Sequence, residues 1–289
     1  MSPPTNLRPL LRKTDILLLR LNALLSTPSG IDRTLCTLSY TLTLLHARLS
    51  PLLTHRLAAL AASIASKASD ALLPGETLIA TLPAPASIRA LSRTTASIKA
   101  LAGLIADFRI FVRLWGLLGI YAWARSTWAS PPADAVLRRI TWAQVAVNAA
   151  YQFLENGAYL ASKGVLVSEG WVGEKGDRRQ ARWWVWSSRF WAAHVGLEFL
   201  RLGYLWRKER RMEEKGVDGE GEKEDKIVRE AERELWWRDL VSNAAYGPLT
   251  VHWSLEEGCL SESWVGLLGM VAGGVGLRER WKATAAIVQ

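Results

Sequence analysis

Apolar residues recur along this chain at three- and four-residue steps, the spacing of one face of an α-helix. Leu10, Leu11, Leu17, Leu18, Leu21, Leu24 and Leu25 predict a first helix over 10–25. Thr27-Pro28-Ser29-Gly30 ends it, and Asp32 is placed to cap a second helix over 33–49. Pro51 opens a third over 52–73, small-residue rich and therefore able to pack closely on a neighbour. The prolines and glycine of 74–85 read as a loop. From 86 to 128 proline is absent, and Ile88, Leu91, Thr95, Ile98, Ala102 and Ile105 keep the helical step, which predicts one long helix. Arg89, Arg93, Lys99, Arg109 and Arg113 are spread along it, and its second half is much more hydrophobic. Such a helix suits a lipid interface, or a core in which the Arg side chains snorkel to water.

The next stretch, 131–164, starts with a helix signal: Pro131 and Pro132 stop the preceding helix, and Asp134 can cap a new one. Arg138 and Arg139 stand just outside an uncharged run over 140–154, which Glu155 and Asn156 interrupt. Those fifteen positions span about 22 Å at ~1.5 Å per residue, short of a ~30 Å hydrocarbon core. A basic pair beside an apolar run fits an insertion signal. Glu155-Asn156 reads as a buried polar pair that holds neighbouring helices in register.

After a short polar link over 168–182, Trp183, Trp184, Trp186, Trp191 and Trp206 share one helix that ends in a basic cluster. Residues 207–233 are nearly all charge of balanced sign and read as a solvated linker. Beyond it, Gly247-Pro248 predicts a break, and an uncharged run over 263–277 comes next, bracketed by Trp264 and Trp281. Within that run Gly266, Gly269, Gly273 and Gly276 fall on one helical face, with Gly269-x-x-x-Gly273 a close-approach motif for helix pairs. That face serves either self-association or packing inside the chain. The organisation expected is a helical membrane-associated region over 1–206, a charged insert over 207–233, and C-terminal helices over 234–289. The fold class is all-α: a membrane-associated helical bundle of amphipathic and hydrophobic helices.

Composition changes this picture in three places. The 15 Trp are far above the usual share, and Trp favours sites with one apolar and one wet edge. The net charge of +9 suits anionic lipid; the Arg residues alternate with Trp, Leu and Ala along hydrophobic helices instead of forming one patch, which speaks against nucleic acid. Cys36 and Cys259 lie too far apart for a metal or redox spacing and are expected to be reduced, and either buried or lipid-facing. His194 with Glu198, and His252 with Glu256, are the best metal-ligating pairs; Glu198 is better read as an ion pair with Arg201. No phosphate cradle, zinc spacing or nucleophile motif appears, so neither enzyme chemistry nor a cofactor or metal is expected. Neither a cleavable signal pattern nor a receptor-read C-terminal tripeptide is present.

Four stretches resemble the peroxin-eleven family of peroxisomal membrane proteins, above all its divergent fungal branch. The helix over 97–115 carries Arg109 and Arg113-Leu114 in the family's Arg-x-x-x-Arg-Leu phrase. Residues 151–164 resemble its central hydrophobic helix, with Glu155-Asn156 mid-run. Residues 186–202 resemble the next helix, and 265–277 with Trp281 the C-terminal hydrophobic hairpin. The resemblance implies a peroxisomal membrane protein that elongates the membrane before division, self-associates, and works with a fission adaptor and dynamin-like machinery. Metabolite passage through a pore is the alternative, for which Asp107, Glu155 and Arg189 would line a polar path. The residues expected to meet anionic lipid are Arg109, Arg113, Leu114, Trp115, Arg138 and Arg139. Those expected to pack helices or copies together are Glu155, Asn156, Gly266, Gly269, Gly273 and Gly276.

Overall fold

The computed structural model describes residues 8–69, 84–214 and 223–287, and every regular element among them is helical. The helices are α1 (Arg8–Leu25), α2 (Pro28–Ser69), α3 (Ala86–Val112), α4 (Gly116–Ala129), α5 (Ala135–Ser162), α6 (Gly173–Glu214), α7 (Lys223–Trp253) and α8 (Glu262–Ala283). A 3-10 turn, Thr284–Ile287, closes the series. No helix among the described residues is long and apolar enough to cross a membrane.

Four boundaries differ from expectation. Helix α2 starts at Pro28, where the Thr27 hydroxyl accepts from the Gly30 amide at 3.1 Å; Asp32 lies inside the helix and caps nothing. Proline in the first turn lacks only an amide that would have had no helical partner. The same helix runs through Pro51 as one piece. A proline removes one ladder bond but need not break a helix held by tertiary packing, and α2 packs along both α3 and α8. Helix α7 likewise passes through Gly247-Pro248, where Ala245, Leu249 and Thr250 are buried and fix the chain on both sides. Conversely, the long helix expected over 86–128 is interrupted: a tight turn at 113–115, with Gly116 N donating to Arg113 O at 2.7 Å, divides α3 from α4. The loop expected over 74–85 lies almost entirely outside the described residues. Of the charged insert, 207–214 and 223–233 are helical ends of α6 and α7.

Neighbouring helices pack in the order α3, α2, α8, α7, α6, α5, α4. Ala158, Leu202, Leu249, Ala272 and Cys36 are almost wholly enclosed at their contacts. Several Trp are half-buried at contacts between helices. Trp191 stacks on Trp253 with ring centroids 5.4 Å apart and sits against Tyr151 and Tyr246. Trp281 lies under the Arg20 guanidinium, 4.2 Å from its ring, and its carbonyl accepts from Arg20 Nη2 at 2.7 Å. Trp264, by contrast, is exposed.

Candidate membrane-facing site

Helix α3 has two apolar faces. The one visible as Ile88, Leu91, Thr95, Ile98, Ala102 and Ile105 turns towards α2: Ile88, Thr95 and Ile105 are buried, the others half-buried. The second comprises Leu101, Leu104, Phe108, Phe111, Trp115 and Leu118, at steps of three and four, and crosses the 113–115 turn into α4. All six are exposed, Leu104 at 67% and Leu118 at 70%. Phe111 and Trp115 meet edge to face at 6.2 Å, so the stripe is continuous across the turn. Tyr121 and Trp128 extend it along α4. The hydrophobic second half of the stretch, with Phe108, Phe111, Trp115 and Leu118, was expected to suit a lipid interface or a core. Leu101 and Leu104 were not singled out, because their spacing is hidden beneath the face that reads as the core. Beside the stripe, Lys163 pairs with Asp107 and anchors the α5–α6 connection, where Val165, Val167 and Val172 are also exposed.

The basic residues are placed less uniformly than the sequence suggested. Arg138 and Arg139 are exposed in the opening turns of α5. That helix starts at Asp134, as expected: its carboxylate accepts from the amides of Val136 at 2.9 Å and Leu137 at 3.3 Å. The Tyr204 hydroxyl and the Lys208 ammonium also donate to Asp134, holding its pKa down at about 2. Arg109 and Arg113, however, turn into the bundle. Arg109 Nε donates to Asp32 Oδ1 at 2.9 Å, with 15% of its side chain exposed. Arg113 reaches Glu155 with two bonds, at 3.0 and 2.7 Å. Burial works against the Arg113 charge, but the hydrogen bonds and charge of the Glu155 carboxylate outweigh it and raise its pKa further. Leu114 is half-buried, and its free carbonyl at the turn accepts from Asn156 Nδ2 at 2.7 Å.

Glu155 and Asn156 therefore clasp the elbow between α3 and α4. The Tyr151 hydroxyl also donates to Glu155, at 2.8 Å, while Gln152 Nε2 donates to Asn156 Oδ1 at 2.7 Å. Burial and the neighbouring carboxylate push the Tyr151 pKa upward, so its hydroxyl stays a donor. A Cβ at Gly116 would come within 2.6 Å of the Gln152 side chain, so the glycine is what lets the elbow sit this close to α5. No buried side-chain polar atom among the described residues lacks a partner.

The glycine face of α8 is in contact with α2 of the same chain. An added Cβ would approach Leu44 at Gly266, Tyr40 at Gly269, Thr37 at Gly273 and Arg33 at Gly276, each within 3.0 Å. The partner positions step back by four, three and four residues, so two antiparallel helices mesh turn by turn.

No cluster of three or more metal-ligating side chains occurs among the described residues. Glu198 receives Arg201 at 2.8 Å, as expected, and His194 meets Asn148 at 2.9 Å. Burial lowers the His194 pKa, which suits a neutral ring accepting from the Asn148 amide. Cys36 is buried, as expected, whereas Cys259 is exposed.

An all-α bundle with an apolar arm held at a buried polar elbow defines a helical scaffold with one greasy surface. The sequence over 86–281, which contains the arm, the elbow and the glycine face, matches the Peroxisomal biogenesis factor 11 (PEX11) family, and the chain belongs to it. Membership carries a role in peroxisome proliferation and a peroxisomal membrane setting, in a family of non-enzymatic biogenesis factors. An uncharacterized protein of Schizosaccharomyces pombe is 29% identical over 189 residues, 65% of this chain and 77% of that protein. No solved structure matches the chain.

Proposed function

We propose that this protein remodels and elongates the peroxisomal membrane by laying the stripe on α3 and α4 into one leaflet, and so promotes peroxisome division. The observation that carries the reading is the exposed row Leu101, Leu104, Phe108, Phe111, Trp115 and Leu118. Each such side chain gains roughly 1.5–3 kcal/mol on leaving water. A row of them wedged partway into a leaflet adds area on that side and curves it. Exposed Arg125, Arg138 and Arg139 supply attraction to anionic head groups. Arg109 and Arg113 act inside the fold, by fixing the arm to α2 and α5. With the glycine face of α8 taken by α2, self-association uses another surface. A fission adaptor and dynamin-like machinery are the partners that fit this role.

The groups that suggested a pore are each engaged. Glu155 is held by Arg113, Asp107 by Lys163, and Arg189 lies over Trp186 and donates to the Ser254 carbonyl at 3.3 Å. That favours remodelling over a polar path. The test is Phe108→Glu with Phe111→Glu, assayed by flotation and tubulation of anionic vesicles. The double variant stays folded and loses both; unchanged tubulation overturns the proposal, and solute leakage without tubulation supports the pore.

A further inference from the structure

Helix α3 packs on α2 and stands away from α6, and the gap between them is a cleft of about 1390 Å³. Sites for small molecules run to roughly 300–1,000 Å³, so this one is large. Its α3 wall is built from Ala102, Gly103 and Ala106, and the far wall from Trp184, Trp191 and Trp253. A Cβ at Gly103 would meet nothing within 4 Å, although almost any other residue would favour the helix more. Space is therefore kept on one wall, facing large aromatic rings on the other.

The charge in this cleft is graded. Its inner end holds the Arg113–Glu155 pair and buried Ser187, where every buried polar atom is satisfied. Toward solvent it carries Lys99 on α3 and Arg182 on α6, both exposed and without an ion-pair partner among the described residues. Glu256 and Glu257, on the α7–α8 connection, also reach the cleft and would turn an anion away from that side.

We propose that this cleft binds one single-chain anionic amphiphile, its tail along the Trp wall and its head group between Lys99 and Arg182. The site goes beyond membrane insertion and does not use the apolar stripe, since 99, 102, 103 and 106 lie on a different face of α3 from 101, 104 and 108.

Titration calorimetry of the full chain with dodecyl phosphate and with dodecanoate, each below its micelle concentration, tests this. At least one binds as a single molecule per chain, and neutral dodecyl maltoside binds about tenfold more weakly, a difference of about 1.4 kcal/mol. Binding of the phosphate alone assigns a phospholipid-type head, and binding of the carboxylate alone a fatty acid. Gly103→Phe fills the cleft and abolishes binding while vesicle flotation persists. Lys99→Glu with Arg182→Glu removes the preference for the anions over the maltoside. If neither anion binds the native chain, or Gly103→Phe binds as tightly as the native chain, the proposal is wrong. Because flotation is read separately, failure here is distinct from failure of the membrane-inserting reading.

Discussion

The α2–α8 seam and the α3–α4 arm are both long, apolar and glycine-containing, yet they treat their apolar surface in opposite ways. In the seam, Gly266, Gly269 and Gly273 are buried, and α2 comes so close that no side chain fits between. In the arm, Gly103 and Gly119 face open space, and the bulky residues around them point outward. The difference lies in what opposes each helix. The seam has a partner with matching periodicity, whereas the arm is fixed by one packed face, by ion pairs and by an elbow. Glycine in the seam is a packing device; in the arm it leaves room.

Substitutions separate the two. The largest loss is expected from Glu155→Ala at the elbow, which strands the half-buried Arg113 charge. Removing one partner of a buried pair costs about 3–5 kcal/mol, and the lower end applies because Arg113 keeps 32% of its side-chain surface. Urea denaturation reads it, and α3 amides should exchange faster than those of α8. Equal loosening of both would mean that the elbow does not hold the arm.

Gly269→Leu strikes the seam. Its Cβ alone would sit 2.2 Å from the Tyr40 ring, and overpacking of this kind costs about 1–3 kcal/mol. The thermal midpoint should fall without loss of the self-association proposed above. A folded chain that no longer self-associates would instead assign the glycine face to contacts between copies. The smallest effect belongs to Gly119→Ala in the arm, where an added Cβ meets nothing within 4 Å. Removing glycine from a helix interior stabilises by roughly 0.5–1 kcal/mol, so the midpoint should rise slightly. A fall would show that the arm is covered at Gly119.

Much of this architecture was legible in the residues. The helical step, the Asp134 cap, the Glu198–Arg201 pair and the single face shared by four α8 glycines are local relations, repeated within one or two turns. Glu155, which is buried, and its half-buried neighbour Asn156 were also readable as polar groups in need of partners, because a carboxylate and an amide sit inside a greasy run. Their partners were not readable, since Arg113 and the Leu114 carbonyl lie 42 residues away. Local rules failed where they met long-range packing: Pro51 and Pro248 sit inside helices, and the proline-free stretch over 86–128 is the one that turns.

The sequence alone thus determined the helical class, most of the apolar periodicity and the family to which the chain belongs, because period, caps and composition act over a few residues. Which apolar face is covered was decided by tertiary structure. Two stripes of similar character run along α3; α2 takes one, so the other remains open. The same choice turned Arg109 and Arg113 inward, and set α8 against α2. No local pattern distinguishes a face that has a partner in the same chain from one whose partner lies elsewhere.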